Sequence, residues 1–108
     1  MILYYRSTGS ANSRKAKKVA SDSGMEVETR NAKQISKEEI KNLLSLSNGI
    51  REIIIRNKVH EVKSMKVNEM IDYLYLNNNS MRMPQLIYKG RLITGYDEEM
   101  YDKIFKKR

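Results

Sequence analysis

Two serines three residues apart, Ser10 and Ser13, stand in the segment Ser7-Thr8-Gly9-Ser10-Ala11-Asn12-Ser13-Arg14-Lys15, where turn residues lead into a helix. The free backbone N–H groups of a helix N-terminus, together with its macrodipole, favour negative charge. Arg14 and Lys15 add cations beside them, so the segment can hold an anion. The more ordinary role of Ser10 is to cap the helix, and the two roles are compatible because an anion can displace a cap. Nucleophilic use of a serine needs a base to activate it. The only histidine, His60, lies in a distant stretch that no sequence feature brings to Ser10. The chain has no cysteine in its 108 residues, which excludes thiolate attack, disulfides and thiolate metal sites. A protein that binds a partner is expected, with no catalytic residue, metal or cofactor.

Composition narrows the partner. The formal charge is +8 and the sequence pI about 9.7. A basic surface suits nucleic acid, an anionic membrane face or an acidic protein, or simply keeps the chain soluble. The cations are spread out, with denser runs at Arg14–Lys18 and Lys103–Arg108. No apolar run approaches the roughly 20 residues that cross a bilayer, and Met1–Ser7 lacks the pattern of a signal peptide. The chain is therefore expected to be cytoplasmic and to have no membrane partner. Direct nucleic-acid binding has no helix-turn-helix, zinc-finger or RNP-like motif to support it. Tyr4, Tyr5, Tyr73 and Tyr75, which could stack on bases, fall inside expected structural elements.

The elements that must position these residues follow from periodicity. Ile2–Tyr5 reads as a buried strand, and a helix with Ala16, Val19 and Ala20 on one face runs on to Gly24. Met25–Glu28 alternates apolar and polar residues, as a half-exposed strand does. Ser36 and Glu39 make a capping box ahead of Ile40, Leu43 and Leu44, and Asn48-Gly49 ends that helix. Ile50–Val59 is compatible with strand or buried helix, and helix is preferred. Val67, Met70, Ile71 and Leu74 form a helical stripe stopped by Asn77–Ser80. Gln85–Tyr88 and Arg91–Thr94 read as a hairpin turning at Lys89-Gly90. Asp97 caps a last helix whose buried stripe is expected to be Met100, Ile104 and Phe105. The order is β-α-β, a helical insertion at about 33–80, then β-β-α, within a single domain spanning 1–108. That is the order of a thioredoxin-like fold. The only proline, Pro84, opens the hairpin, where thioredoxin folds carry a cis-proline.

At this point the residues resemble the Spx and arsenate reductase (ArsC-like) family. Ser7-Thr8-Gly9-Ser10-Ala11-Asn12-Ser13-Arg14-Lys15-Ala16 resembles the Spx segment S-P-S-C-x-x-C-R-K-A. Lys37–Lys41 is similar to the opening of the family's second helix. Gly49, Glu52-Ile53-Ile54 and Arg56-Asn57-Lys58-Val59 resemble its G-x-x-E-I-I…R-S-K-V block. Pro84–Ile87 and Arg91–Tyr96 resemble P-I-I-I and R-L-x-x-G-Y. These blocks span nearly the whole chain.

Three departures qualify what the resemblance implies. Ser10 takes the place of the first cysteine, the nucleophile of the reductases and half of the Spx redox switch. Ser13 takes the place of the second, and Met83 precedes Pro84 where the family has arginine. The C-terminal extension linked to Spx turnover is also expected to be missing. Arsenate reduction is therefore not expected.

What the resemblance implies instead is a stress-response type transcription regulator. It would dock on the C-terminal domain of the RNA polymerase α subunit, with at most weak promoter DNA contact inside the complex. Its expected interface residues are Ser7, Arg14, Gly49 and Arg51, and its expected anion pocket is Ser10, Arg14 and Arg56. Gly49 also reads as an ordinary helix C-cap, and Arg51 as a surface charge. With serines at positions 10 and 13 such a regulator cannot be switched by a disulfide and should mimic the reduced state. A direct nucleic-acid-binding protein and a degenerate, non-catalytic reductase homologue are the alternatives.

Overall fold

The computed structural model describes residues 1–105, so the end of the basic run Lys103–Arg108 lies outside the described residues. Strand β1 (Ile2–Tyr5) leads to α1 (Ala11–Asp22) and β2 (Glu28–Asn31). Helices α2 (Lys37–Leu46), α3 (Val59–Val62) and α4 (Val67–Leu76) follow, then β3 (Gln85–Tyr88), β4 (Arg91–Thr94) and α5 (Glu98–Phe105). The sheet order is β2-β1-β3-β4. β1 pairs parallel with β2 and antiparallel with β3, and β3 pairs antiparallel with β4. This is the expected thioredoxin-like arrangement, with the helical insertion between its halves.

Side-chain alternation along β1 divides the core in two. Leu3 is fully buried against Ala16 and Ala20 of α1, Leu86 of β3, and Tyr101 and Phe105 of α5. Its neighbour Tyr4 faces the other layer, with Ile40 and Leu43 of α2, Val62 of α3 and Leu74 of α4. The two small alanines let α1 lie close on the sheet. The helical insertion thus forms one cover of the sheet, and α1 with α5 forms the other.

Local chemistry sets the boundaries. Ser36 Oγ accepts the Glu39 N–H at 3.1 Å while Glu39 Oε1 accepts the Ser36 N–H at 2.9 Å, closing the capping box. Lys89 and Gly90 both have positive φ, 51° and 75°, as the tight hairpin turn requires. Asp97 Oδ1 accepts the Met100 N–H at 3.3 Å at the start of α5.

Five expectations need correction. The second strand is Glu28–Asn31 rather than Met25–Glu28, because Met25 still belongs to the turn, donating its N–H to Ser23 Oγ at 3.1 Å. That strand is a polar sheet edge, so it has no apolar alternation to announce it. The stretch Ile50–Val59 is not one helix. It forms two 3₁₀ turns, Ile50–Glu52 and Arg56–Lys58, around an Ile54–Met81 β-bridge. The bridge draws Ile55 N–H to Ser80 O (2.8 Å) and Arg82 N–H to Ile53 O (2.7 Å), which breaks the helical ladder. Gly49 does not cap α2. Ser47 does, and Gly49, at φ 157°, opens the next turn. Val67 of the expected α4 stripe is 60% exposed. Finally, Tyr101 rather than Met100 anchors α5: Tyr101 is 0% exposed and Met100 42%.

Candidate functional site

The loop between β1 and α1 lies at the carboxyl ends of the parallel strands. Ser10 has extended backbone dihedrals and caps α1, its Oγ accepting the Ser13 N–H at 3.1 Å. Ser13 is fully buried, and among the described residues its own hydroxyl has no hydrogen-bond partner. Ser7 Oγ accepts from Asn31 Nδ2 at 3.2 Å, which ties the loop to the end of β2. Arg6 anchors it from below, donating to Asn78 O at 2.9 Å and Met81 O at 2.6 Å. Burial lowers the pKa of that guanidinium from its ordinary value. Arg6, Ser7, Thr8, Gly9, Asn31, Lys33 and Asn79 line a cavity of about 320 Å³ here. Arg14 is exposed on the first turn of α1. Beyond the loop, the peptide Met83–Pro84 is cis.

No base serves Ser10. Its hydroxyl oxygen is engaged by a backbone amide, and His60 lines a different cleft. That cleft, about 220 Å³, is formed by Arg51, Arg56, Val59, His60 and Lys63. The turn after Gly49 supplies Arg51, the Arg56–Lys58 turn supplies Arg56, and α3 with its cap supplies the rest. Arg82 joins from the side, donating Nη1 to the Arg51 carbonyl at 3.0 Å. Among the described residues, no salt bridge neutralises Arg51, Arg56, Lys63 or Arg82. Nearby carboxylates are already taken. Glu61 accepts from Tyr73 Oη at 2.5 Å and faces Lys58 at 3.6 Å, and the Tyr73 bond first of all holds its pKa below the usual range. Glu52 accepts the Asn48 N–H at 2.7 Å. Unpaired cations lining one small concavity repel each other until an anion enters.

Of the residues singled out from sequence, Arg51 and Arg56 share this cleft, with Gly49 opening the turn that carries Arg51. Ser7 lines the loop cavity, while Ser10 and Arg14 stand at the start of α1. Sequence reading passed over Arg6, His60, Lys63 and Arg82 as site residues. The spacing Arg56, His60, Lys63 is i, i+4, i+7, one face of a helical stretch, and it could have revealed the cluster.

A separate network ties β1 and β2 to α2. Tyr4 Oη donates to Glu39 at 2.8 Å, and Arg30 pairs with the same carboxylate and with Glu28. Burial, then Glu39, pushes the Tyr4 hydroxyl up to about 12. Burial alone would raise Glu39, but Arg30, Ser36 and Tyr4 together hold its carboxyl below the usual range.

Among the described residues, no helix is long and apolar enough to cross a membrane and no cluster of possible metal ligands occurs. No protein-family model and no curated protein matches the chain. Solved structures do. The YFFB (PA3664) protein superposes with a TM-score of 0.73 at 16% identity, covering 96% of this chain and 97% of that one. A possible arsenate reductase from Streptococcus mutans UA159 gives 0.72 at 16% identity, covering 94% and 96%. An arsenate reductase (ArsC) related protein from Brucella melitensis gives 0.64 at 13% identity, covering 97% and 93%. At these identities the likeness is one of fold: the chain has the thioredoxin-like fold of the ArsC-related proteins along nearly its whole length.

Proposed function

We propose that the chain is an Spx-like, thiol-free transcription regulator that docks on the C-terminal domain of the RNA polymerase α subunit through the cleft of Arg51 and Arg56. The observation that carries this reading is the cluster itself. Arg51, chosen because it lies near Gly49, and Arg56, chosen from the G-x-x-E-I-I…R-S-K-V resemblance, line one cleft with His60 and Lys63, and among the described residues no salt bridge neutralises either arginine. Such a surface fits an acidic patch on a partner protein, and steering by the net charge of +8 would speed the encounter. Serines at positions 10 and 13 leave the chain without a disulfide switch. Catalysis by the loop is not part of the proposal, because the Ser10 hydroxyl is engaged as a cap and has no base. Calorimetric titration with the isolated polymerase domain tests the reading, with Arg51→Glu as the variant that should abolish binding.

The same unpaired cations favour one second reading, direct contact with a nucleic-acid backbone. Fluorescence anisotropy with duplex DNA separates the two. A steep loss of affinity with salt in the absence of polymerase supports direct binding, and no measurable binding supports docking on protein.

A further inference from the structure

Strands β1 and β2 run parallel and end side by side at Tyr5 and Asn31. A crevice opens beyond their carboxyl ends, the place where open α/β sheets commonly take ligands. This is the cavity of about 320 Å³ beside the β1–α1 loop, and neither Ser10, Arg14 nor any residue of the Arg51 cleft lines it. Because β2 and β3 flank β1 on opposite sides, it also lies across β1 from the strand that Pro84 opens.

Its hydrogen bonding is lopsided. The acceptors around it are engaged within the chain: Asn78 O and Met81 O take Arg6 Nη2 at 2.9 and 2.6 Å. Asn31 Oδ1 takes the Lys33 N–H at 2.9 Å, and Lys33 O takes Asn78 Nδ2 at 3.4 Å. Ser7 Oγ accepts from Asn31 Nδ2 at 3.2 Å, which leaves its O–H to donate. The donors are unspent. Among the described residues, no hydrogen bond uses Arg6 Nε or Nη1, Lys33 Nζ, the Ser7 or Thr8 O–H, or Asn79 Nδ2. No carboxylate lines the cavity, and among the described residues neither Arg6 nor Lys33 enters a salt bridge. Arg6 is half-buried, and a partly desolvated cation without a counter-ion is unfavourable until an anion reaches it.

We propose that this crevice binds a phosphate group, either the free ion or the head of a small phosphate monoester. Arg6 and Lys33 supply two positive charges for a dianion, and Ser7, Thr8 and Asn79 supply neutral donors for its remaining oxygens. A carboxylate carries one charge and two oxygens, and would leave part of that set unused. The volume is about ten times the ~30 Å³ share of a water molecule, so a phosphate fits with space for waters or a short ester chain. A bound phosphate would tie the β1–α1 loop to the segment after β2 and to Asn79, and so stabilise the folded chain.

Titration of the full chain with inorganic phosphate, glycerol phosphate and acetate at matched ionic strength, followed by amide NMR shifts, tests this. The expected result is saturating shifts at Ser7, Thr8, Gly9, Lys33 and Asn79 at about millimolar phosphate, about tenfold tighter than acetate. Glycerol phosphate binding more tightly than inorganic phosphate assigns the site to an ester; otherwise it belongs to the free ion. Lys33→Gln should weaken phosphate about tenfold. Arg6→Gln also removes the ties to Asn78 and Met81 and can unfold the chain, so the exposed Lys33 is the deciding variant. Three results overturn the proposal: no saturating shift at the loop, shifts confined to the surroundings of Arg51 and Arg56, or an affinity that Lys33→Gln leaves unchanged.

Discussion

The Ser10 hydroxyl oxygen accepts the backbone N–H of Ser13 at 3.1 Å, while the Ser13 hydroxyl is buried with no partner among the described residues. Two residues that look equivalent in the sequence therefore do opposite things. One satisfies an orphan amide of α1, and the other carries an unmet polar group into the core.

Their substitutions should differ in sign. Ser10→Ala removes the cap and should cost about 1 kcal/mol of unfolding free energy. Ser13→Ala removes a buried hydroxyl that bonds nothing and should be neutral or stabilising, by up to about 1 kcal/mol. Urea titration of both variants checks this. A Ser13→Ala loss larger than that of Ser10→Ala would mean the Ser13 hydroxyl has a partner after all.

Glu39 gives the fold an acid limit. Its pKa is depressed in the folded state, so its contribution is present above the unfolded value of about 4.3 and is lost as pH falls through the folded value. Wild-type stability should therefore decline below about pH 4 to 5 more steeply than that of Glu39→Gln. Parallel acid-unfolding curves for the two proteins would contradict the bracing role of the Tyr4–Glu39–Arg30 network.

Tyr101 should behave as a core aromatic with an unneeded hydroxyl. It packs 4.9 Å from Tyr96 and 5.6 Å from Phe105 between ring centroids, and burial first of all raises its pKa. Tyr101→Phe should leave stability within about 1 kcal/mol, whereas Tyr101→Ala should cost about 3–5 kcal/mol. Thermal unfolding of the pair distinguishes packing from hydrogen bonding as the source of its contribution.

Where local signals were strong, sequence and structure agree. The Ser36–Glu39 box, the Lys89-Gly90 turn and the apolar run Ile2–Tyr5 each specify their element without help from the rest of the chain. Failures came where tertiary pairing decides. The polar strand Glu28–Asn31 exists because β1 offers it a partner, and Ile54 leaves the helical ladder because Met81 bridges it. The site was legible in part for the same reason. Arg56 was marked by its sequence block and Arg51 by lying near Gly49, but only the two 3₁₀ turns around Ile54 bring them into one cleft.

The cleft is also where the functional account stands or fails. Titration of the full chain into the isolated C-terminal domain of the RNA polymerase α subunit, followed by calorimetry, measures it directly. The account predicts binding at about micromolar affinity, insensitive to a thiol oxidant on this chain and lost in Arg51→Glu with the fold intact by circular dichroism. Gly49→Ala is the less clean variant, because its φ of 157° strains any side chain. No binding by the wild-type chain, or binding that Arg51→Glu leaves unchanged, would contradict the account.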